Sequence, residues 1–210
     1  MYQPKDVVTS VAEIYADQRL PYDSQTGKFI DHIDAHCQVW IEHSTFLTMA
    51  TVDKAGNMDV SPKGDPAGFV KVLDDKTLAI PDRPGNHRYD GFQNIFETGR
   101  IGLVFLVPNR NEVVRVNGSA VVVRDRTVRE LCAIKGRVPD FAVIVQVEEA
   151  FYHCGKSIIR SRLWYPDDQL PVDALPTYAE ALIAHGKLTE AYDDLAARLQ
   201  HNDEKRLYDE

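Results

Sequence analysis

Residues 44–64 read "STFLTMATVDKAGNMDVSPKG", and this stretch decides the fold. "STFLTMATV" is rich in β-formers, "DKAGN" is turn chemistry, and "MDVSPKG" continues as a second run, so 44–63 reads as a β-hairpin. Downstream, "GFVKVLD", the turn "DDK" and "TLAIP" suggest another strand pair. "RIGLVFLV" is a continuous apolar run, as expected of a strand covered on both sides. "PNRNE" then turns the chain into "VVRVNGSAVVVRD", a long strand interrupted at Asn117-Gly118 by a bulge or sharp bend. "FAVIVQVEEAFYHC" is the last strong strand.

Helical patterns surround these runs. "DVVTSVAEIYADQ" spaces Val7, Val8, Val11, Ile14 and Tyr15 as in a helix, and "GKFIDHIDAHCQVWIEHS" does so with Phe29, Ile33, Val39 and Trp40. A short helix is expected over 86–98, with Asn86 as N-cap, Phe92, Ile95 and Phe96 on one apolar face, and Gly99 as its stop. Another, capped by Asp125, carries Val128, Leu131, Cys132 and Ile134. "LPTYAEALIAHGKLTEAYDDLAARLQ" reads as two amphipathic helices with Gly186 between them, followed by a charged tail. About half a dozen strands joined mainly by short turns point to a mainly-β antiparallel barrel or sandwich with flanking helices, not to a doubly wound βαβ sheet. The lack of G-x-G-x-x-G and P-loop motifs agrees. The expected organisation is N-terminal helices over 1–43 packing on the barrel, a barrel over 44–166, and a helical appendage over 167–210.

Composition narrows the function classes. With net charge −8 and a pI near 5.4, the chain lacks the basic face that nucleic acid requires. No apolar run is long enough to span a bilayer, and "MYQPKDVVTS" lacks the regions of a signal peptide. Three unpatterned cysteines, Cys37, Cys132 and Cys154, favour free thiols in a reducing compartment, so a cytoplasmic location is expected.

Against that acidic background "PDRPGNHRYDGFQNI" (81–95) concentrates Arg83, Asn86, His87 and Arg88 at one turn. A helix N-terminus, the tight turn of Pro84-Gly85 and two guanidinium forks suit a phosphate monoester. The plain alternative is that Asn86 only caps, Arg88 pairs with Asp82 or Asp90, and Arg83 is solvated. In "MDVSPKGDPAGF", Ser61 and Lys63 alternate along a strand end and so face the same way. In "FYHCGKSIIRSRLWYP", Lys156 and Arg160 share a face if helical, beside Ser157, Ser161 and Trp164. His32, His36 and Cys37 resemble a metal pair with a neighbour, but Ile33 stands where H-E-x-x-H needs Glu, and no third ligand is evident, so no metal is expected.

Three segments in this order, "FLTMATVDKAGNMDVSPKGDPAGFVKVLDDKTLAIPDRPGNHRYDGFQNI", "IGLVFLVPNRNEVVRVNGSAVV" and "FYHCGKSIIRSRLW", resemble the FMN-binding proteins related to pyridoxamine 5′-phosphate oxidase. The closest likeness is to a bacterial subgroup with "SP-G-P" and "PDR-GN-R-D" motifs. It runs from about Phe29 to Pro166. The resemblance implies a six-stranded antiparallel split β-barrel, a homodimer, and one FMN in each of two clefts at the subunit interface. It places Ser61 and Lys63 along the flavin ring and ribityl chain, and Arg83, Asn86 and Arg88 at the phosphate. It also implies that Lys156, Ser157, Arg160, Ser161 and Trp164 close the cleft, with Arg115 near the dimer seam. The implied activity is that of an FMN-dependent oxidoreductase; the alternatives are a carrier or sensor that binds a flavin, or an F420-type cofactor, without turnover. Pyridoxamine phosphate oxidase itself ends in Arg-Leu-x-Pro, whereas Trp164 and Tyr165 intervene here and two further helices follow, so a vitamin B6 substrate is not expected.

Overall fold

The computed structural model of the chain describes residues 1–209. In chain order its elements are α1 (Val11–Asp17), α2 (Asp23–Thr26), α3 (Ala35–His43), β1 (Phe46–Val52), β2 (Met58–Gly64), β3 (Lys71–Asp74) and β4 (Thr77–Pro81). Then come α4 (Asp90–Thr98), β5 (Arg100–Leu106), β6 (Val113–Val123), α5 (Arg126–Leu131), β7 (Ala142–His153) and α6 (Lys156–Ser161). A 3₁₀ turn (Pro166–Asp168) leads to α7 (Tyr178–Gly186) and α8 (Tyr192–Lys205).

The strands form one antiparallel sheet in the order β2-β1-β5-β6-β7-β4-β3, so the mainly-β split-barrel class holds. The sheet has seven strands where six were implied; the short β3 folds back on β4 through Asp75-Lys76 and adds an edge. The β1–β2 hairpin follows its turn chemistry. Asp53 Oδ1 accepts from Asn57 N at 2.8 Å, and Gly56 takes the left-handed φ of +88° that the turn needs.

Period-two alternation builds the core. Leu47, Met49 and Thr51 of β1 and Ile101, Leu103 and Phe105 of β5 point inward, as do Val114 and Val116 of β6 and Val143, Val145 and Val147 of β7. Each such aliphatic or aromatic side chain contributes about 1.5–3 kcal/mol on burial. On β5 only this one face is fully buried; Gly102, Val104 and Leu106 are half-buried, contrary to the two-sided burial its apolar run suggested. From one side α3 sets Cys37, Trp40 and Ile41 onto the core, with the Trp40 indole donating to Phe105 O at 3.2 Å. From the other, α4 inserts Phe92 and Ile95.

The expected interruption at Asn117-Gly118 is a register shift: Asn117 faces Glu149 while Gly118 faces Val147, so Glu148 of β7 has no opposite residue. The two backbones then crowd together. A Cβ on Gly118 would lie 2.0 Å from the Gln146 carbonyl oxygen.

Several helical expectations fail for identifiable reasons. α1 spans only Val11–Asp17 and buries nothing, so Val7, Val8, Val11, Ile14 and Tyr15 are exposed rather than packed on the barrel. Asp34 caps α3 by accepting from Cys37 N at 2.8 Å, which starts the helix at Ala35 and leaves His32 outside it. Val39 and Phe29 are exposed, although Phe29 lies 4.5 Å from Phe151, centroid to centroid. α4 begins at Asp90 instead of 86, and Phe96 is 67% exposed. The inward place goes to Asn94, which donates to Thr51 Oγ1 at 3.1 Å within the core. Gly99 does end α4, at φ +67°. No helix among the described residues is long and apolar enough to cross a membrane.

Gly118→Ala forces β6 off β7 at the centre of the sheet. Overpacking of this kind costs about 1–3 kcal/mol, and a backbone partner that cannot move puts the cost at the upper end. Urea unfolding should show a lowered midpoint with an unchanged slope.

Candidate functional site

A cleft of about 1270 Å³ opens beside the edge strand β2. Asp59, Ser61 and Lys63 share the half-buried side of that strand, while Met58, Val60, Pro62 and Gly64 are exposed. Across from them lies the turn leading into α4, so Ser61, Lys63, Arg83, Asn86 and Arg88 all line one cavity. Segment 136–141 and the pair Tyr208 and Asp209 complete the wall.

The turn is held by local strain and aromatic packing. Asn86 Oδ1 accepts from Arg88 N at 3.1 Å, which makes it a turn former and not the helix cap expected of it. The N-cap position falls to Tyr89, at φ 54°, and His87 has φ 55°. Two non-glycine residues in the left-handed region cost of order 1 kcal/mol or more each, and surrounding contacts must offset this. Tyr89 does so by packing on Phe92 at 5.5 Å and Phe141 at 6.5 Å.

Each cation of the cleft faces a carboxylate, and the pairs differ in kind. Arg83 Nε lies 2.6 Å from Asp65 Oδ2, and the Asp65 side chain is 1% exposed. Arg83 Nη2 also donates to Cys132 O at 2.9 Å, so this arginine is largely desolvated and has two of its nitrogens engaged within the chain. Arg88 bonds Asp90 at 2.7 Å, with the arginine 71% exposed. Lys63 Nζ sits 3.4 Å from Asp82 Oδ1. Ser61 Oγ donates to Asp59 Oδ2 at 2.8 Å. Tyr208 Oη donates to Asp65 Oδ1 at 2.6 Å, and that bond pushes the phenol's pKa up, with burial adding to it.

The remaining expected residues do not reach this cleft within one chain. Arg115 stands on β6 with its guanidinium 5.0 Å from the Phe151 ring centre, and Lys28 Nζ approaches the same ring at 5.3 Å. Burial, then Lys28 and Arg115, push the pKa of nearby His153 down. Lys156, Ser157, Arg160 and Ser161 form α6. That helix is pinned at the β5–β6 turn: a Cβ on Gly155 would lie 2.4 Å from Asn111 O, and Trp164 Nε1 donates to Arg110 O at 2.7 Å. Conversely, sequence reasoning overlooked Asp59, Asp65, Arg137, Tyr208 and Asp209 as cleft residues. Asp65 lies in the loop "GDPAG", and nothing local says that this aspartate meets Arg83.

The sequence matches the pyridoxamine 5′-phosphate oxidase family over residues 33–154, more than half of the chain. The chain belongs to that family. No curated protein matches it. Among solved structures, a candidate pyridoxamine 5′-phosphate oxidase from Lactobacillus delbrueckii is 28% identical, with 59% of this chain and 98% of that one covered and a TM-score of 0.46. HupZ of Group A Streptococcus is 22% identical, with 57% and 93% covered and a TM-score of 0.47. An FMN-binding protein from Syntrophomonas wolfei is 12% identical, with 56% and 82% covered and a TM-score of 0.42.

Elsewhere in this family member, His32 Nδ1 contacts Asp31 at 3.0 Å and the His36 carbonyl accepts from Tyr152 Oη at 3.0 Å. Among the described residues no group of three His, Cys, Asp or Glu side chains is placed to hold a metal. Burial, then Asp34, push the Cys37 thiol up to about 12, and burial raises Cys132 as well. Cys154 alone of the three is exposed. A thiol reagent at neutral pH should therefore label one cysteine per native chain, shown by peptide mapping to be Cys154, and three after denaturation. Rapid native labelling of Cys37 would contradict its placement. Asp65→Asn leaves the half-buried Arg83 facing a neutral amide; loss of one partner costs about 3–5 kcal/mol in a fully buried pair, and the exposure of Arg83 makes that the upper bound here. Chemical denaturation of the variant measures that loss.

Proposed function

We propose that this cleft binds FMN and that the chain is an FMN-dependent oxidoreductase, homodimeric, acting on a substrate other than a vitamin B6 phosphate. The observation that carries the reading is the convergence of Ser61, Lys63 and the 83–88 turn on one cavity. Its volume of about 1270 Å³ exceeds the roughly 300–1,000 Å³ common for small-molecule sites, which leaves room for a cofactor and a substrate together. Its donors fit the group: an ammonium, an exposed guanidinium, a hydroxyl and the backbone of a tight turn, beside the apolar surfaces of Phe69 and Phe92.

The ion pairs divide the labour. Exposed pairs contribute little and exchange partners readily, so Arg88 can leave Asp90 for a phosphate oxygen. Lys63, loosely paired at 3.4 Å, supplies positive charge next to Ser61. Arg83, locked on Asp65 and Cys132 O, is a positioning residue that fixes where the turn stands. When bound, the flavin supplies two-electron redox chemistry, and the chain's part is to hold it, orient it and set the charge around it. In a homodimer, Arg115, Lys156, Ser157, Arg160, Ser161 and Trp164 complete the cleft from the partner, since one chain holds them away from its own.

The test is the absorption spectrum of the extensively desalted protein, with mass analysis of what heat releases. Flavin bands and an FMN mass are expected, and Arg88→Ala with Lys63→Ala should weaken FMN binding by at least about tenfold. A colourless protein that takes up no added FMN overturns the reading. Bound flavin that no reductant bleaches makes the protein a carrier instead.

A further inference from the structure

After α8 the chain turns back into the cleft, although Lys205, Arg206 and Leu207 are exposed and give it no apolar reason to do so. Two polar contacts hold it. The Tyr208 hydroxyl donates to Asp65 Oδ1 at 2.6 Å, on the carboxylate whose other oxygen holds Arg83. Asp209 Oδ1 lies 2.7 Å from Arg137 Nη2 as an ion pair, and that oxygen is buried without a hydrogen bond. The Tyr208 ring also sits between two cations, 5.9 Å from the Arg83 guanidinium carbon and 5.2 Å from Lys135 Nζ.

Arg137 is aimed by its backbone. Ile134 N and Arg137 N each bond the other's carbonyl, at 3.0 and 2.8 Å, across Lys135 at φ 48° and Gly136 at φ 78°. Two successive left-handed residues make the tight turn typical of hairpins, which leaves Arg137 little freedom at its base. The Arg137 side chain is 61% exposed and lines the cleft with the Asp209 carboxylate on it. An exposed arginine side chain that already carries a carboxylate has the chemistry of an anion site.

We propose that Tyr208–Asp209 is an internal strap whose carboxylate stands in for a ligand anion on Arg137, and that the phosphate of the incoming ligand, shared between Arg88 and Arg137 on the walls of the same cleft, displaces it. This rests on the flavin reading of the cleft for the identity of the ligand, but not for the strap itself. Tyr208 on the fixed Asp65–Arg83 pair is the hinge end, because that pair does not exchange; Asp209 on the exposed Arg137 is the end that does. The strap lowers apparent affinity by the fraction of time it is closed, so weakening it must tighten binding.

The experiment compares FMN binding, read by flavin fluorescence, in the full chain, in Asp209→Asn, in a chain ending at Arg206, and in Arg137→Ala with and without that truncation. The expected result is several-fold tighter binding for Asp209→Asn and for the shortened chain, with the effect of shortening abolished once Arg137 is alanine. Equal or weaker binding by both strap variants overturns the proposal. If FMN binds none of the chains, the flavin reading fails, and the strap is then judged in the full chain by hydrogen exchange with inorganic phosphate as probe. Faster exchange at 207–209 on adding phosphate upholds it, and no change overturns it.

Discussion

The seam of this sheet is crossed by ion pairs. β2 is one edge of the sheet and β4 is next to the other, so no backbone ladder joins them. Asp65, just past β2, reaches Arg83, just past β4, at 2.6 Å, and Lys63 of β2 reaches Asp82 at 3.4 Å. These contacts set how far the edges stand apart, and the cleft is the space that separation leaves. A buried pair is a weak source of net stability but a strong constraint on geometry, because separating its members strands a charge. The Asp65–Arg83 pair therefore fixes the width of the site more than it strengthens the fold. Its Cys132 O contact ties the same arginine to the end of α5, so three parts of the chain share one reference point.

What was legible in the sequence is what local chemistry decides. The β1–β2 turn, the stop at Gly99 and the cap at Asp125 depend on residues a few positions apart, and Asn117-Gly118 marks the break in β6 within one strand. The errors arise where a competing partner, near or distant, overrides a simple preference. Asn86 is a good N-cap in isolation, but the turn uses its side chain on Arg88 N and hands the helix start to Tyr89. Phe96 fits the apolar spacing, yet Asn94 takes the inward place because Thr51 of β1 offers it a hydrogen bond. The apolar spacing of 7–15 is real, and among the described residues of the chain none is placed to bury it.

The candidate site shows the same division. Alternation along β2 suffices to put Ser61 and Lys63 on one side, and composition suffices to flag the arginine-rich turn. Which arginine is available to a ligand is a tertiary question. Arg83 and Arg88 look equivalent in "PDRPGNHR", but the partner that separates them, Asp65, lies 18 residues away for one, while Asp90 is two residues away for the other. Tyr208 meets Asp65 across 143 residues, and no sequence pattern encodes that contact.

The proposed anion site poses a charge problem for an acidic chain. At net −8, unpaired cations in a cleft would attract any anion, and unpaired carboxylates would repel the wanted one. Pairing every cation of the cleft with its own carboxylate removes both effects at rest. The cost is that a ligand must break a pair for each cation it uses. The arrangement meets this by grading exposure: the pair that shapes the cleft is largely sequestered, the Arg88–Asp90 pair lies at the surface, where water screens its loss, and Arg137 is exposed while the Asp209 oxygen on it is buried without a hydrogen bond. Specificity then comes from geometry, since only an anion that reaches the exchangeable cations while its remainder fits between β2 and the turn gains enough to displace their partners.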